Sequence, residues 1–306
     1  MRIVFMGTPR FAVPALAKLF DAPRHQVAAV VTQPDRPRGR NLVLSPCPVK
    51  ELAVARGIPV LTPEKISEAE NSLRELNPDV IAVAAYGQFI PRAIRELVTR
   101  GCINIHPSLL PKYRGAAPIQ WAVANGDAVT GVTIMHVAKV MDSGDIILQR
   151  EVPIGPDENA AQLEPRLAEI GAGMLVEAID LLASGNALRI PQDEAKVSYA
   201  RKLEKVDARI DWSLPAEKIA NRIRGYQPWP GAFCETSGRS LKILRATVES
   251  GSRLPATIIE TNAAGPLIAC GENALRLLEV QPEGKAAMPA AAWFNGSRLK
   301  AGDRLS

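Results

Sequence analysis

Apolar and polar residues alternate along the first half of the chain in blocks that predict strands separated by helices. Apolar runs of strand length occur at residues 2–6, 26–31, 80–85 and 102–105. Runs that are apolar on both faces are typical of a parallel sheet covered by helices, and the stretches between them show helical spacing. The order of these blocks predicts an α/β fold with an N-terminal doubly wound, mainly parallel, Rossmann-like sheet.

The pattern changes after residue 128. Two strand-like runs, 129–136 and 146–152, are joined by a short polar connection. We expect them to add an antiparallel pair at the edge of the sheet. Residues 159–183 then predict a long amphipathic helix that ends at Ser184, Gly185 and Asn186.

The last third of the chain has a different pattern. Residues 187–208 show little apolar periodicity and are predicted to form an interdomain linker. A helix is expected over 210–224, followed by short apolar runs that are typical of a small antiparallel β-barrel. An OB-like barrel is one candidate. We therefore expect an α/β domain at 1–186 and a C-terminal β-barrel domain at 209–306.

Composition narrows the class of protein. Of the 306 residues, 47% are hydrophobic and 23% are charged, which is ordinary for a soluble globular protein. The sequence shows no signal-peptide pattern and no run near the ~18 apolar residues of a membrane helix. The four cysteines, Cys47, Cys102, Cys234 and Cys270, have neither disulfide nor metal-ligand spacing. They predict reduced thiols in a cytoplasmic protein without a metal site.

Positive charge is concentrated in two places. The net charge is +5, of which residues 206–306 contribute +3. Arg36, Arg38 and Arg40 lie close together in a proline-rich stretch, 32–50, that predicts a loop. Because a long basic loop in a compact domain is usually functional, we interpret it as an arm for phosphate or nucleic acid. A solvated connector is the alternative.

Three polar side chains follow strands at the edge where open α/β sheets place their ligands. Asn104 and His106 lie two residues apart at the end of the run 102–105, and Asp142 lies in the polar turn between the later strands. An asparagine amide can stabilise an oxyanion, a histidine can move a proton, and an aspartate can orient that histidine. The trio predicts direct transfer of an acyl-type group. A nucleophilic Ser108 beside His106 is the alternative, although the GxSxG elbow is missing.

Two turns and two further histidines bear on ligand binding. The turn after the first strand holds the single glycine Gly7 instead of GxGxxG, which disfavours a nicotinamide cofactor. The turn AYGQFIP at 85–91 offers an aromatic wall and free backbone groups to a flat ligand. A plain strand-to-helix turn explains the same residues equally well. His136 is expected to be a buried or edge residue and His25 a surface residue.

Together these motifs resemble the family of methionyl-tRNA formyltransferases over nearly the whole chain. The matching segments, in chain order, are TQPDRPRGR, NIHPSLLPKYRGAAPIQW, TGVTIMHV, MDSGDI, ARIDWSLPAEKI and QPWPG. The SLLPxxRG segment, with its spacing to Asp142, is similar to the signature of enzymes that use 10-formyltetrahydrofolate.

The resemblance implies transfer of a formyl group from 10-formyltetrahydrofolate to the amino group of methionine on initiator methionyl-tRNA. It implies that Asn104, His106 and Asp142 are catalytic, in a catalytic domain at 1–186. The residues implied to bind the folate donor are Tyr86, Gly87, Gln88, Phe89, Ile90, Ser108, Leu109 and Pro111. The residues implied to contact tRNA are Arg36, Arg38 and Arg40, together with the domain at 209–306. The implied enzyme is a cytoplasmic monomer without a metal.

Three other functions compete with this interpretation. A sugar-nucleotide or glycinamide formyltransferase shares the SLLPxYRG segment, but the basic loop and the basic C-terminal domain argue against it. A nonenzymatic RNA-binding protein would not need the trio. A nicotinamide oxidoreductase would need the glycine pattern that is absent.

Overall fold

The computed structural model of the chain describes residues 1–38, 43–236 and 238–306. The chain divides into two compact units. The first comprises Met1–Gly115, Val129–Pro153 and Glu164–Tyr199. The second comprises Ala116–Ala128, Ile154–Leu163 and Ala200–Ser306. The two units therefore interleave along the sequence, and the domain limits expected near residues 186 and 209 stay a prediction.

The described chain contains the following strands and helices. The strands are β1 (Arg2–Gly7), β2 (Gln26–Val31), β3 (Arg36–Arg38), β4 (Val43–Ser45), β5 (Val60–Leu61), β6 (Val80–Ala84), β7 (Cys102–His106), β8 (Arg114–Gly115), β9 (Val129–His136), β10 (Ile146–Pro153), β11 (Tyr199–Ala200), β12 (Phe233–Thr236), β13 (Arg239–Glu249), β14 (Ile258–Asn262), β15 (Gly265–Ala269), β16 (Ala274–Pro282) and β17 (Met288–Pro289). The helices are α1 (Val13–Phe20), α2 (Pro48–Ala55), α3 (Glu70–Glu75), α4 (Arg92–Arg95), α5 (Pro118–Ala124), α6 (Ala160–Ser184), α7 (Ala216–Gly225) and α8 (Ala290–Asn295). None of the helices in the described ranges combines the length and apolar character needed to cross a membrane.

The first unit is built on one seven-stranded sheet, in the order β10-β9-β7-β6-β1-β2-β5. The five strands from β7 to β5 run parallel to one another. β9 runs antiparallel to β7, and β10 runs antiparallel to β9. The predicted doubly wound, mainly parallel sheet with an antiparallel pair at its edge is confirmed.

The two faces of strand β7 carry different kinds of side chain, apolar on one face and polar on the other. Ile103 and Ile105 are buried on one face, where burial of each side chain stabilises the fold by about 1.5–3 kcal/mol. Helix α6 packs closely there, because a Cβ atom on Gly171 would lie 2.7 Å from Ile105 Cγ2. Because strand residues alternate between faces, Asn104 and His106 share the opposite face.

The second unit contains an antiparallel sheet in the order β12-β13-β16-β15-β14, with β17 added beside β16. The antiparallel C-terminal fold is confirmed, but the barrel expected from the sequence does not close. Among the strands that the structure describes, β12 and β14 stand at the two ends of this order and do not pair with each other. Residues 302–306 form backbone hydrogen bonds with both of these end strands, at Glu235 and at Ile258. Helices α7 and α8 cover the core through side chains such as Ile219, Ile223 and Phe294.

Helix α7 begins six residues later than the pattern predicts. Pro215 occupies its N-cap position, and Asp211 accepts hydrogen bonds from the backbone N–H and hydroxyl of Ser213. This local turn keeps the preceding residues out of the helix, as aspartate and serine commonly do. The buried positions Ala216, Ile219 and Ile223 follow helical spacing from the new start.

Residues 116–128 cluster with the second unit because of aromatic contacts inside that unit. The rings of Trp121 and Tyr226 meet edge to face, with centroids 6.2 Å apart. Trp121 Nε1 donates a hydrogen bond to the Arg201 carbonyl at 2.8 Å. These contacts join α5 to α7 within the second unit.

His136, at the end of β9, is buried and its pKa is strongly perturbed. Burial, assisted by the positive charge of Arg189, lowers the pKa of its imidazole from 6.5 to about 4, against the opposing charge of Asp145. Its Nε2 atom finds no hydrogen-bond partner within the described ranges. The folded protein therefore holds this histidine neutral.

We expect the free energy of unfolding to fall as the pH drops from about 6.5 to about 4. The reason is that the unfolded histidine binds a proton in this range before the folded one does. The effect reaches at most about 3 kcal/mol. Urea unfolding of the wild type and of His136→Leu at both ends of the range measures it. The variant should lose this part of the pH dependence, and an equal dependence in both proteins would contradict the assignment.

Candidate active site

The carboxyl end of β7 brings two of the predicted residues to one face of the sheet. Asn104 pairs in register with Val83 of β6 and Met135 of β9, so β7 is held on both sides. His106 follows on the same face and is 4% exposed. The backbone that carries both side chains is therefore fixed by ladder hydrogen bonds.

Both ring nitrogens of His106 face oxygen atoms. Nε2 lies 2.9 Å from the Tyr113 carbonyl oxygen, and Nδ1 lies 3.7 Å from Asp142 Oδ2. A carbonyl oxygen can only accept, so we infer that Nε2 carries a hydrogen in either protonation state. Nδ1 is then the atom that can gain or lose a proton, and it faces the carboxylate.

Asp142 is held in the turn between β9 and β10 in an unusual backbone conformation, with φ of +54°. Its Oδ2 accepts a hydrogen bond from the Gly115 N–H at 2.9 Å. Nearby, Gly144 approaches its neighbours so closely that a Cβ atom would lie 1.7 Å from the His136 carbonyl oxygen. The structure therefore brings His106 and Asp142 together, as the sequence predicts, through a turn with little tolerance for substitution.

The side chain of Asn104 is available to a substrate. It forms no hydrogen bond with any group in the part of the chain that the structure describes, and it is partly exposed. An asparagine amide on a rigid strand is a suitable donor to an oxygen atom that gains negative charge. His106 and Asn104 thus present a proton-transfer group and a hydrogen-bond donor from the same strand face.

The loop after β7 is fixed by its own hydrogen bonds, and this decides the role of Ser108. Ser108 is fully buried, and its hydroxyl donates to the Lys112 carbonyl at 2.6 Å. The hydroxyl of Thr133 donates to the Ser108 carbonyl, also at 2.6 Å. With His106 directed at Tyr113 and Asp142, the geometry does not support a serine nucleophile.

The turn after β6 holds most of the predicted folate-binding residues and directs them in different ways. Tyr86 and Ile90 are buried in the core of the first unit, and burial raises the pKa of the Tyr86 phenol to about 12. The Gln88 amide accepts from the Ile66 N–H at 2.9 Å and donates to the Glu64 carbonyl at 3.1 Å. These three side chains therefore serve the fold.

The same turn leaves other groups exposed. Ala85 and Gly87 both have positive φ angles, +47° and +84°, and both are exposed. Phe89 is 65% exposed. Backbone groups and one aromatic ring, instead of buried side chains, are what this turn offers to a ligand.

Leu109 and Pro111 complete the predicted donor-binding residues. Both are partly exposed, and the Leu109 side chain packs over Gly131 of β9. The segment around them is held by Gln149, whose amide donates to the Leu110 carbonyl at 2.9 Å. The loop is therefore held in place by contacts within the protein.

The arginine loop is described only in part. Arg36 is exposed in β3, which pairs with β4 as a short antiparallel ribbon. Lys50 Nζ and Asp35 Oδ2 form an ion pair of 2.6 Å near this ribbon. Arg40 lies outside the described residues, and for Arg38 only the backbone is described.

Several histidine and cysteine side chains outside this site are buried and contribute to the fold instead of to a site. His25 was expected at the surface, but its side chain is 2% exposed and pairs with Asp180 at 3.0 Å; this prediction is wrong because the turn before β2 packs against α6. Burial raises the pKa of the Cys102 and Cys234 thiols to about 12. No cluster of potential metal ligands occurs in the described ranges.

The predicted linker makes a set of contacts that its sequence does not indicate. Residues 190–198, called the brace from here on, form hydrogen bonds with the loop that follows His106 and with the turn that holds Asp142. Gln192 donates to the backbone of Asp142, and Ser198 accepts from the Tyr113 N–H at 2.9 Å. A polar stretch without apolar periodicity gives no signal for such contacts, apart from the acidic residue Glu194, which pairs with Arg114.

Family models and close relatives match the chain over nearly its full length. A model described as Formyl transferase matches residues 1–179, and one described as Formyl transferase, C-terminal domain, matches residues 202–298. Methionyl-tRNA formyltransferase of Moorella thermoacetica is 47% identical, with 100% of this chain and 99% of the relative covered. The protein of the same name from Geobacter sulfurreducens is 44% identical, with 100% and 96% covered.

Solved structures with low sequence identity share the fold. The N-formyltransferase from Helicobacter canadensis, solved with folinic acid and dTDP-3-aminofucose, has a TM-score of 0.68 at 18% identity, with 90% of this chain and 98% of that chain covered. HypX from Aquifex aeolicus, solved with tetrahydrofolic acid, has a TM-score of 0.62 at 18% identity and covers 100% of this chain. This chain spans about half the length of HypX, 50%.

Proposed function

The chain belongs to the methionyl-tRNA formyltransferase family, and on that premise we propose how its residues carry out the reaction. The enzyme transfers the formyl group of 10-formyltetrahydrofolate to the amino group of methionine on initiator methionyl-tRNA, for the initiation of translation. The observation that carries the proposal is the His106–Asp142 pair at 3.7 Å, beside Asn104 on the same strand face.

The reaction proceeds by direct attack. The neutral amino nitrogen of methionine attacks the formyl carbon, and the electron pair of the C=O bond moves to the oxygen. The Asn104 amide donates a hydrogen bond to this oxyanion, and the positive charge of His106, when the ring is protonated, stabilises it further. Collapse of the tetrahedral intermediate breaks the bond from carbon to N10, which takes the electron pair and a proton.

Asp142 and His106 manage the proton that the amine must lose. The amine proton passes by way of water to the Asp142 carboxylate, which also orients the His106 ring. With Nε2 bonded to the Tyr113 carbonyl, His106 helps to move this proton through Nδ1. One proton leaves the amine and one is taken up by N10, so the reaction needs no other proton source. A positioned group of this kind accelerates a reaction by roughly 10²–10⁴-fold.

The folate donor lies against the turn at 85–90 and the loop at 108–111 in this proposal. The supporting observations are the exposed backbone around Gly87, the exposed ring of Phe89 and the preorganised loop. Tyr86, Gln88, Ile90 and Ser108 contribute by fixing the backbone that reads the pterin ring. This assignment follows ordinary binding sites, in which a few polar groups orient a flat ligand.

Contact with tRNA falls to Arg36, Arg38 and Arg40 and to the C-terminal domain at 209–306. Arginine suits phosphate recognition because its planar guanidinium offers several donors in a fixed geometry. The net charge of +3 over residues 206–306 supports an electrostatic contribution from this domain.

Residues 1–186 carry the chemistry. The enzyme acts in the cytoplasm and is a monomer. Sedimentation of the purified protein would test the oligomeric state.

A transfer assay tests the reaction and its pH dependence together. We expect label from 10-formyltetrahydrofolate to reach the methionine of initiator methionyl-tRNA, and the rate to fall as the pH is lowered towards about 5. The reason is that an α-amino group, with an ordinary pKa of about 7.7–8.0, must be neutral to attack. An amino-sugar nucleotide and glycinamide ribonucleotide are the comparison acceptors. Transfer to either of these but not to the tRNA would contradict the function, and a flat profile under single-turnover conditions would contradict the mechanism.

A further inference from the structure

The brace, residues 190–198, meets the turn of Asp142 through the side chain of Gln192. Its Nε2 donates hydrogen bonds to the carbonyl oxygens of Asp142 and Gly144, each at 2.8 Å. Its Oε1 accepts from Arg114 Nε at 3.0 Å. Both N–H bonds and the oxygen of the amide are therefore in use, which fixes its orientation.

Arg114 connects Gln192 to the loop of His106. The residue is 2% exposed, and its guanidinium donates to both carboxylate oxygens of Glu194, at 2.8 and 3.2 Å. A buried guanidinium needs such partners, because an unpaired buried charge is costly. The following residue, Gly115, donates to Asp142 Oδ2. Arg114 and Gly115 thus reach the Asp142 turn by two routes, one through Gln192 and one direct.

The brace is attached to the same region at both of its ends. The backbone groups of Ile190 pair with those of Ile146, the first residue of β10, at 2.8 and 3.0 Å. The Ser198 carbonyl accepts from the Arg114 N–H at 2.9 Å. Gln192 therefore lies on a fixed backbone between two anchored ends.

Asp142 requires external support because its backbone conformation is unfavourable. A left-handed backbone, with φ of +54°, is uncommon for residues other than glycine. Such conformations persist where the surroundings impose them, commonly at functional sites. The bonds from Gln192 on either side of Ser143 hold the turn in the conformation that aims Asp142 at His106.

We propose that Gln192 is a positioning residue for formyl transfer, which keeps the Asp142 carboxylate facing Nδ1 of His106, with Arg114 and Glu194 fixing its orientation. The inference rests on the proposed roles of His106 and Asp142. Gln192 itself touches neither substrate nor the reacting atoms. Its contribution is to hold the Asp142 carboxylate where it faces Nδ1 of His106, so that these two groups can take part in moving the proton.

Gln192→Met tests the proposal, because methionine has a similar size but lacks the amide. We expect kcat to fall by roughly 10–100-fold, as when supporting residues around a reactive centre are removed. The KM values for the donor and for the tRNA should change little, since the substrate contacts stay in place. Gln192→Asn, whose amide is one methylene too short, should fold normally and show an intermediate loss of kcat.

Asp193→Ala is the matched control. Asp193 is the exposed neighbour of Gln192 on the brace and accepts a hydrogen bond from the Ala195 N–H. Its removal loosens the brace locally without touching Asp142, so kcat should stay at the wild-type value. An equal loss in this variant would mean that any damage to the brace is sufficient, and would overturn the assignment to Gln192.

A double-mutant cycle with Asp142→Asn separates the inference from the proposed mechanism. If Gln192 acts through the carboxylate, Gln192→Met should cost little further kcat once the carboxylate is gone. The same loss in both backgrounds, or wild-type kcat in Gln192→Met, overturns the positioning role. Wild-type kcat in Asp142→Asn alone would instead refute the catalytic role of Asp142, whatever Gln192 does.

Discussion

Replacing His106 by alanine should lower kcat by roughly 10²–10⁴-fold, the range that a positioned proton-transfer group contributes. The imidazole is held between the Tyr113 carbonyl and the Asp142 carboxylate, at 2.9 and 3.7 Å. In the proposed mechanism, alanine removes both the charge that stabilises the oxyanion and the path for the proton. Binding of tRNA should be unchanged, because the ring lies in a buried position and not on a charged surface. Steady-state formyl transfer and filter binding of the tRNA measure the two quantities.

His25→Ala provides a matched control for this variant. His25 is also a buried histidine of the first unit that faces an aspartate, with Nε2 3.0 Å from Asp180 Oδ1. Its loss should lower the stability of the fold and leave the kcat of the folded protein unchanged. If His106→Ala retains kcat, or loses tRNA binding to the same extent as turnover, His106 is a structural residue and the mechanism is wrong.

The second large effect is expected for Asn104→Asp. In the proposed mechanism, a carboxylate there places a negative charge beside the formyl oxygen as it becomes negative, and it removes the donor N–H. Loss of one such donor costs roughly 10²–10³ in kcat, and the added repulsion should bring the variant to the upper end of that range. The change preserves size, so the ladder of β7 should persist. Rapid-quench measurement of a single turnover reports the chemical step directly.

Two further variants make the Asn104 result interpretable. Asn104→Ala removes the donor without adding charge, so it should be less impaired than the aspartate variant. Asn186→Asp adds the same charge at an exposed turn and should leave the single-turnover rate at the wild-type value. Equal rates for wild type and Asn104→Ala would show that this amide does not contact the oxyanion.

Much of the fold and the centre of the site could be predicted because the relevant signals are local. The run ending in Asn104 and His106 is apolar at alternate positions, and its polar residues fall at the carboxyl edge of a parallel sheet. Helix α6 was predicted almost to the residue, since its amphipathic pattern is long and ends at Gly185. Local periodicity is sufficient for elements of this kind.

Contacts between distant residues could not be predicted because they leave no periodic signal. Gln192 lies 50 residues from Asp142 and 78 from Arg114, in a stretch whose composition is that of a linker. The open C-terminal sheet has the same explanation, because apolar runs predict strands but not which edges pair. In the structure, residues 302–306 form backbone hydrogen bonds with both end strands of the sheet, and α7 and α8 cover its core.

The interleaving of the two units limits how this enzyme can be divided or recombined. The chain enters the second unit at residues 116, 154 and 200, so a cut near residue 200 does not yield two complete folding units. A C-terminal fragment would lack α5 and leave the Tyr226 ring without Trp121, its edge-to-face neighbour. Gene fusion or domain exchange at the boundary suggested by the sequence would therefore produce an incomplete core.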